Sequence, residues 1–311
     1  MRAARIHRFG EPLQIDDVPE PTVGPDDVLL DVHHVGVNPL DVWLTQGTVA
    51  GGTQSLPFIP GSDGVGEVDG RLVVVRGGGL GTTRDGLYSE RAAVPRSAII
   101  PLPEGIDPRQ AAGLGVPGAT AWALVHRVAA IAPDDRVLVL GASGGVGSLA
   151  AQMAKTTGAV VWGQTSSPAK EGFVRELGVD RVVVASAEEL ATAAADLSPT
   201  VVIDGLGDGY TLASIAATAP FGRIVLYGTS AGERATFDLR GFYRTSIDLL
   251  TYSGTIEPQG RNLEALQEAL GALARGELRV FIDEVLPLEQ AAEPHRRILA
   301  REVRGKILLA P

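Results

Sequence analysis

The feature that most constrains the fold of this chain is an apolar strand that runs directly into a glycine-rich turn and then into a helix. The strand covers residues 136–140, and the residues after the turn have the apolar spacing of a helix. A second apolar strand at 159–163 completes a strand–helix–strand unit. Glycine lets the backbone turn tightly and approach an anion at the helix N-terminus. The turn, with Gly141, Gly144, Gly145 and Gly147, therefore predicts a site for a dinucleotide pyrophosphate.

The pattern around this unit predicts two domains. Strands and helices alternate through residues 118–254, which is typical of a doubly wound parallel sheet, the Rossmann type of α/β fold. Residues 1–117 show short strands broken by glycine and proline, which predicts an irregular β domain. A helix near 263–275 and a closing strand at 306–309 do not complete another nucleotide-binding half. We therefore expect residues 255–311 to return to the first domain.

Composition excludes several classes of function. The 311 residues carry a formal net charge of -10, which disfavours nucleic acid and anionic membranes as partners. Cysteine is absent, so disulfides and thiolate metal sites are excluded. No apolar stretch has the ~18 residues that a membrane span needs, and we do not expect a signal peptide at residues 1–8, which lack an apolar stretch. Cytoplasmic residence is the expectation.

The segment after the second strand indicates which dinucleotide binds. NAD-binding proteins of this type carry an acidic side chain about 20 residues beyond the first glycine. Residues 163–170 contain no carboxylate, and the next acidic residue is Glu171. The hydroxyl and ammonium donors there suit a phosphate instead, and they belong to Thr165, Ser166, Ser167 and Lys170. We therefore expect NADPH as the cofactor.

Several separated segments resemble the medium-chain dehydrogenase/reductase superfamily, specifically its zinc-independent quinone oxidoreductase (zeta-crystallin-like) branch. The resemblance spans nearly the whole chain. It is carried by residues 36–41 (GVNPLD), 60–66 (PGSDGVG), 119–122 (ATAW), 141–147 (GASGGVG), 227–229 (YGT) and 305–307 (GKI). It implies that the irregular β domain is GroES-like and catalytic.

The same resemblance implies chemistry without a metal. Zinc-dependent relatives have Cys where Asn38 stands and His-Glu where Ser62-Asp63 stand. Without a Lewis acid, hydride transfer favours an electron-poor acceptor that delocalises the incoming charge by itself. A quinone or an α,β-unsaturated carbonyl is therefore the expected substrate.

The resemblance also implies roles for single residues. Asn38 and Asp41 would line the cleft near the nicotinamide, and Thr120 would flank it; Asn38 can equally be a polar turn residue before Pro39. The residues implied for the pyrophosphate are Ser143, Gly144, Gly145 and Val146. Those implied for the adenosine phosphate are Ser166, Lys170 and Arg301. A further implied cofactor-binding group at the C-terminal edge of a strand comprises Tyr227, Gly228 and Thr229.

The sequence alone identifies neither the proton donor nor the exact activity. The tyrosines that qualify by type are Tyr88, Tyr210, Tyr243 and Tyr252, with Tyr252 best placed by resemblance. Where the family often has three aromatic or basic residues, this chain has Trp43, Thr45 and Val49. The alternatives to quinone reduction are an enoyl-thioester reductase and a non-catalytic NADPH-binding structural or sensing protein. The resemblance implies a homodimer, for which residues 247–252 offer an apolar edge strand.

Overall fold

The computed structural model describes residues 1–48 and 55–311, which form two compact units. The discontinuous unit contains residues 1–119 and 258–311, and the continuous unit contains residues 120–257. The sequence prediction puts the corresponding boundaries after residues 117 and 254.

The first part of the discontinuous unit is built mainly from strands. These are β1 (Arg2–Arg5), β2 (Gln14–Asp17), β3 (Asp27–Gly36), β4 (Asp63–Val68), β5 (Arg71–Arg76), β6 (Arg91–Pro95) and β7 (Ile99–Pro101). Its helices are α1 (Pro39–Gln46) and α2 (Pro108–Ala112), and α3 (Gly115–Trp122) crosses into the continuous unit.

Strands and helices alternate in the continuous unit. The strands are β8 (Arg136–Val139), β9 (Val160–Thr165), β10 (Arg181–Val184), β11 (Val201–Asp204), β12 (Arg223–Leu226) and β13 (Asp248–Thr251). The helices are α4 (Gly145–Thr156), α5 (Glu171–Glu176), α6 (Ala187–Ala193), α7 (Asp208–Ala217) and α8 (Leu239–Tyr243). The chain then returns to the discontinuous unit with α9 (Gln259–Ala274), β14 (Ile282–Pro287), α10 (Ala292–Leu299) and β15 (Lys306–Ala310).

The main sheet of the discontinuous unit has seven described strands, in the order β14-β15-β3-β4-β5-β7 with β6 paired to β3. Side chains alternate between the two faces of β3: Leu30 is fully buried, whereas its neighbour Leu29 is 39% exposed. β15 lies between β14 and β3. The chain after residue 257 is therefore an integral part of this sheet.

The continuous unit contains a sheet of six parallel strands, in the order β10-β9-β8-β11-β12-β13. β8 and β11 are buried along nearly their whole length, as expected for parallel strands covered on both faces. The order reverses between β8 and β11, which creates a topological switch point at the carboxyl edge of the sheet. The predicted doubly wound fold with a second, irregular β domain is confirmed.

Candidate functional site

The glycine-rich turn connects β8 to α4 at the switch point. Gly141 has a left-handed φ of 59°, which favours glycine, and its carbonyl accepts a hydrogen bond from the amide of Gly144 at 2.9 Å. A Cβ atom at Gly147 would lie 2.3 Å from the Gly141 carbonyl oxygen. The first turn of α4 can therefore approach the loop this closely only because residue 147 lacks a side chain.

The N-terminus of α4 presents unsatisfied donors. The first amides of any helix lack intrahelical acceptors. In the described part of the chain, no acceptor is present for the amides of Ser143 and residues 145–147, whereas Ser148 is the first to bond back, to Gly144. The hydroxyl-bearing Ser143 is itself nearly buried, at 8% exposure. These amides, with the positive end of the helix dipole, form a site suited to a phosphate group.

The amide of Gly141 is not one of these donors. It donates to the side-chain oxygen of Gln164 at 3.0 Å. The side-chain nitrogen of Gln164 donates in turn to the carbonyl of Ala185 at 2.8 Å. Sequence reasoning missed this residue, although an amide side chain near the end of an otherwise apolar strand was a visible signal.

The residues predicted to bind the adenosine phosphate lie at the end of β9 and in the turn after it. Thr165 is buried and its hydroxyl accepts from the amide of Ser167 at 3.3 Å. Ser166 is exposed, and Lys170 is half-buried in a short helical turn that spans Pro168–Lys170. The carboxylate of Glu171 forms an ion pair with Arg175, one turn further along α5. No carboxylate lies in the 163–170 segment, so its polar groups can accept a negatively charged group without repulsion.

The end of β12 meets the end of β11 at the same edge of the sheet. Gly228 lies so close to Gly205 that a Cβ would be 2.9 Å from the Gly205 carbonyl oxygen. The ring of Tyr227 packs over Gly205, and burial, with a smaller contribution from Asp204, raises the pKa of Tyr227 far above its usual range. This tyrosine is therefore protonated throughout the neutral range. Thr229 follows, with its carbonyl accepting from Gly232 at 3.1 Å.

The remaining predicted residues of the continuous unit are Thr120 and Tyr252. Each is 8% exposed. Thr120 lies in α3, and Tyr252 directly follows β13, with its amide bonded to the carbonyl of Leu226. Among the other tyrosines considered, Tyr210 is buried in α7 and Tyr243 is 66% exposed at the end of α8.

In the discontinuous unit, Asn38 immediately precedes α1, and its backbone N–H donates to Oδ2 of Asp41 at 2.8 Å. The Asn38 side chain donates to the carbonyl of Gly36 at 3.0 Å and to Asp63 at 2.6 Å, and it accepts from Lys306 at 2.8 Å. Both N–H bonds of this side-chain amide are thus used inside the unit. These hydrogen bonds support the interpretation of Asn38 as a polar turn residue.

Lys306 is the buried cation of this cluster. Its ammonium donates to the carbonyl of Val37 at 2.6 Å as well as to Asn38, and it is 4% exposed. Asp63 is fully buried, and its second oxygen accepts from the amide of Val116 at 2.6 Å. Burial raises the pKa of Asp63 and lowers the pKa of Lys306, while their mutual attraction opposes both shifts. Sequence reasoning used Lys306 only as part of a motif and missed this role.

Asp41 connects this cluster to two further buried groups. Burial, partly offset by the hydrogen bond from Asn38, raises the pKa of Asp41 to about 7. Tyr88 lies with its hydroxyl 3.4 Å from Asp41 and 3.3 Å from Nε2 of His295. Burial raises the pKa of Tyr88 well above its usual value and lowers the pKa of His295 to about 4. Tyr88 therefore holds its proton firmly and is a poor proton donor.

The positions that bind zinc in zinc-dependent relatives do not fit a zinc ion. The amide of Asn38 and both oxygens of Asp63 are engaged as described, and Ser62 offers only a buried hydroxyl. Across residues 1–48 and 55–311, no group of three or more His, Cys, Asp or Glu side chains could hold a metal ion. Zinc prefers tetrahedral nitrogen and sulfur ligands, which this set does not provide.

Two predicted positions remain. Arg301 belongs to the discontinuous unit, where it follows α10 with a left-handed φ of 57°. Val49 lies outside the described residues. Among the described helices, none is long and apolar enough to cross a membrane.

Comparisons with known proteins identify relatives that share this fold. Residues 145–274 match the family model "Zinc-binding dehydrogenase", and residues 24–104 match the model "Alcohol dehydrogenase GroES-like domain". A quinone oxidoreductase of Sus scrofa is 31% identical, over 99% of this chain and 97% of that protein. The solved quinone oxidoreductase from Thermus thermophilus, whose study includes a complex with NADPH, superposes with a TM-score of 0.89 at 31% identity and full coverage of both chains. A solved NAD-dependent alcohol dehydrogenase superposes with a TM-score of 0.90 at 30% identity, again with full coverage of both chains.

Proposed function

Because the chain belongs to the quinone oxidoreductase branch of the medium-chain dehydrogenase/reductases, we propose that it is an NADPH-dependent reductase of quinones or α,β-unsaturated carbonyls that needs no metal ion. The proposal rests on the groups at the carboxyl edge of the β8–β9 pair. Free amides at the start of α4 lie there, and the segment after β9 has phosphate donors and no carboxylate.

The cofactor assignment rests on this chain's own residues. Ser143 and the amides of residues 145–147 would hold the pyrophosphate. Ser166 and Lys170 would hold the adenosine phosphate, and Arg301 would join them as the resemblance implies. The NADPH complex of the Thermus enzyme supports this choice. The alcohol dehydrogenase neighbour is NAD-dependent, but residues 163–170 here lack the carboxylate that a ribose diol requires.

The substrate class follows from the donor set near Asn38. When bound, the nicotinamide supplies a hydride, and one proton completes the two-electron reduction of a quinone to a hydroquinone. Asn38, Asp63 and Lys306 satisfy one another, so they offer no ligands with which a Lewis acid could polarise a ketone. An acceptor that delocalises the incoming charge therefore suits this chain best. Tyr252 is the proposed proton donor, with water as the alternative for a quinone.

A steady-state assay tests the proposal. NADPH oxidation is followed with 1,4-benzoquinone, 9,10-phenanthrenequinone, an alkenal and crotonyl thioester, before and after treatment with a chelator. We expect turnover with the quinones or the alkenal that the chelator leaves unchanged.

Three results would contradict the proposal, each in a different way. Turnover with crotonyl thioester alone would indicate an enoyl-thioester reductase. Tight NADPH binding without turnover of any acceptor would indicate a binding protein. Stoichiometric zinc whose removal abolishes activity would overturn the metal-free mechanism.

A further inference from the structure

Gln164 is a buried amide at the end of β9 whose two polar ends are both used. Its side chain is fully enclosed, with 0% exposure. Its oxygen accepts from the Gly141 amide at 3.0 Å, and its nitrogen donates to the Ala185 carbonyl at 2.8 Å. Buried amides are costly unless both ends are bonded. The position therefore suits glutamine specifically, with a donor on one side and an acceptor on the other.

These two bonds connect three neighbouring strands at their carboxyl ends. Gly141 follows β8, Gln164 belongs to β9 and Ala185 follows β10, and these strands are adjacent in the order β10-β9-β8. The main chain adds two bonds at the same place, from Ala142 to the Gln164 carbonyl and from Ala185 to the Thr165 carbonyl. The side chain of Gln164 thus links the ends of the three strands at the edge of the sheet, where the regular strand pairing stops.

Gly141 is the point through which this link reaches the anion site. Its carbonyl accepts from Gly144 and lies within the space that a Cβ at Gly147 would need. A change in the backbone dihedral angles of Gly141 would therefore move the carbonyl on which the first turn of α4 rests. The side chain of Gln164 fixes the peptide that precedes Gly141, and the Gln164 carbonyl holds the amide of Ala142 in the peptide that follows, so both dihedral angles of Gly141 are constrained. The side-chain bond also uses the Gly141 amide, so that only the later amides face a ligand.

We propose that Gln164 is a positioning residue for the nucleotide, which holds the backbone entering Gly141 so that the amides at the start of α4 converge on the pyrophosphate. This inference rests on the proposed function. A carboxylate could replace the oxygen of Gln164 but not its donor, and it would add a negative charge beside a site for phosphate.

Two variants and one control test this role. Gln164→Met keeps the length of the side chain and removes both hydrogen bonds, whereas Gln164→Glu keeps the acceptor and adds charge. Gln110→Met is the control, because Gln110 also accepts from a backbone amide, that of Val280, but in the discontinuous unit. The measurements are the Kd for NADPH by protein fluorescence and hydrogen–deuterium exchange of the peptide that contains residues 138–147, in the nucleotide-free protein.

We expect Gln164→Met to raise the Kd about tenfold, because the amides at the start of α4 no longer converge on the pyrophosphate. Exchange in the 138–147 peptide should become faster. Gln164→Glu should raise the Kd further, because it adds a negative charge beside the phosphate site. A purely structural role would lower stability but leave the Kd of the folded protein unchanged. Gln110→Met should leave both the Kd and the exchange of the 138–147 peptide at the wild-type values.

Unchanged exchange in Gln164→Met, or faster exchange with an unchanged Kd, would overturn the positioning role alone. If Gln164→Met does not fold, Gln164→Glu decides the matter, and a wild-type Kd in that variant overturns the role. A wild-type protein that binds no NADPH would instead refute the proposed function, and with it this inference.

Discussion

At Asp41 a carboxyl group is enclosed by the protein, and this has a measurable consequence for stability. Its pKa is about 7 in the folded protein, above the ordinary value near 3.8, chiefly because of burial. The folded state therefore holds a proton that the unfolded state has released between about pH 4 and pH 7. Stability that is present below pH 4 is lost across this window, by roughly 1 kcal/mol per pH unit.

Asp41→Asn should remove this dependence while it preserves an acceptor for the Asn38 amide. We expect the variant to gain stability relative to wild type as the pH rises from 5 to 7. Both proteins keep His295, whose lowered pKa acts in the opposite direction, so its contribution cancels in the comparison. Urea unfolding at the two pH values measures the difference. An equal difference at both pH values for Asp41→Asn would contradict the assignment.

Lys170 carries the clearest prediction about the cofactor. Lys170→Ala should weaken NADPH binding ten- to a hundredfold, on the order of one charge-assisted hydrogen bond, and leave NADH binding unchanged. Lys155→Ala is a suitable control, because that lysine pairs with Asp180 at the other end of α4. Dissociation constants from protein fluorescence provide the test. Equal wild-type affinities for NADPH and NADH would refute the cofactor assignment.

Single residues differ in how far the sequence reveals their role. The role of the glycines at 141–147 can be predicted because the residues that they contact lie only a few positions away in the sequence. Asn38 is different, since its side chain bonds to Lys306, 268 positions away, and to Asp63, 25 positions away. No local pattern indicates such pairings. The sequence thus pointed to Asn38 but could not show that its amide is already fully bonded.

Among the helices, α4 depends on Gly147, the residue at which its first turn packs against the glycine-rich loop. Gly147→Ala would put a methyl group 2.3 Å from the Gly141 carbonyl oxygen. We expect a loss of about 1–3 kcal/mol in stability, as for other overpacked sites, together with weaker NADPH binding. Thermal unfolding and fluorescence titration measure the two effects.

Gly172→Ala is the matched control for that substitution. Gly172 lies in α5, where a Cβ would meet no atom within 4 Å. Alanine should raise stability there by up to about 1 kcal/mol, because it is the better helix former. A Gly147→Ala variant as stable as wild type would show that the loop can yield, which would contradict the packing argument.

Element types followed from the sequence more readily than element lengths. The apolar run of β9 suggested a strand that stops at Gly163, yet the strand continues to Thr165. The extension comes from pairing of Gln164 and Thr165 with Val183 and Val184 of β10. Partners on another strand are invisible to a local pattern. The same holds for Ala123–Val128, where the end of α3 widens into a π-helical turn.

For the whole molecule, the alternating pattern of strands and helices was enough to predict the parallel sheet, because each βαβ crossover is read along the chain. The sheet order then follows from a common topology. The mixed, mostly antiparallel sheet of the discontinuous unit was harder to predict from the sequence. Its strands join residues from both ends of the described chain, as in the pairing of β15 with β3.

The assembly of the molecule is predicted from resemblance and from the exposed edge of the parallel sheet. β13 pairs only with β12 in the described part of the chain, and Leu249 on it is 37% exposed. We expect light scattering to give the mass of a dimer at micromolar concentration. Leu249→Lys should yield a monomer, because charge blocks edge pairing.

The control for this prediction is Leu212→Lys on α7, where the leucine is 36% exposed. It should leave the dimer intact. A wild-type protein of monomer mass, or a Leu249→Lys variant that remains dimeric, would contradict an interface at β13.

The position of β15 between β14 and β3 has a consequence for biosynthesis. A ribosome releases the residues of the continuous unit as one uninterrupted stretch, so that unit can fold during translation. The discontinuous unit must wait, since β3 emerges early with β4 and β6 but lacks its third partner, β15, until residues 306–310 have been synthesised. Nascent chains halted before residue 306 should therefore expose β3 to chaperones while the parallel sheet is already protease-resistant.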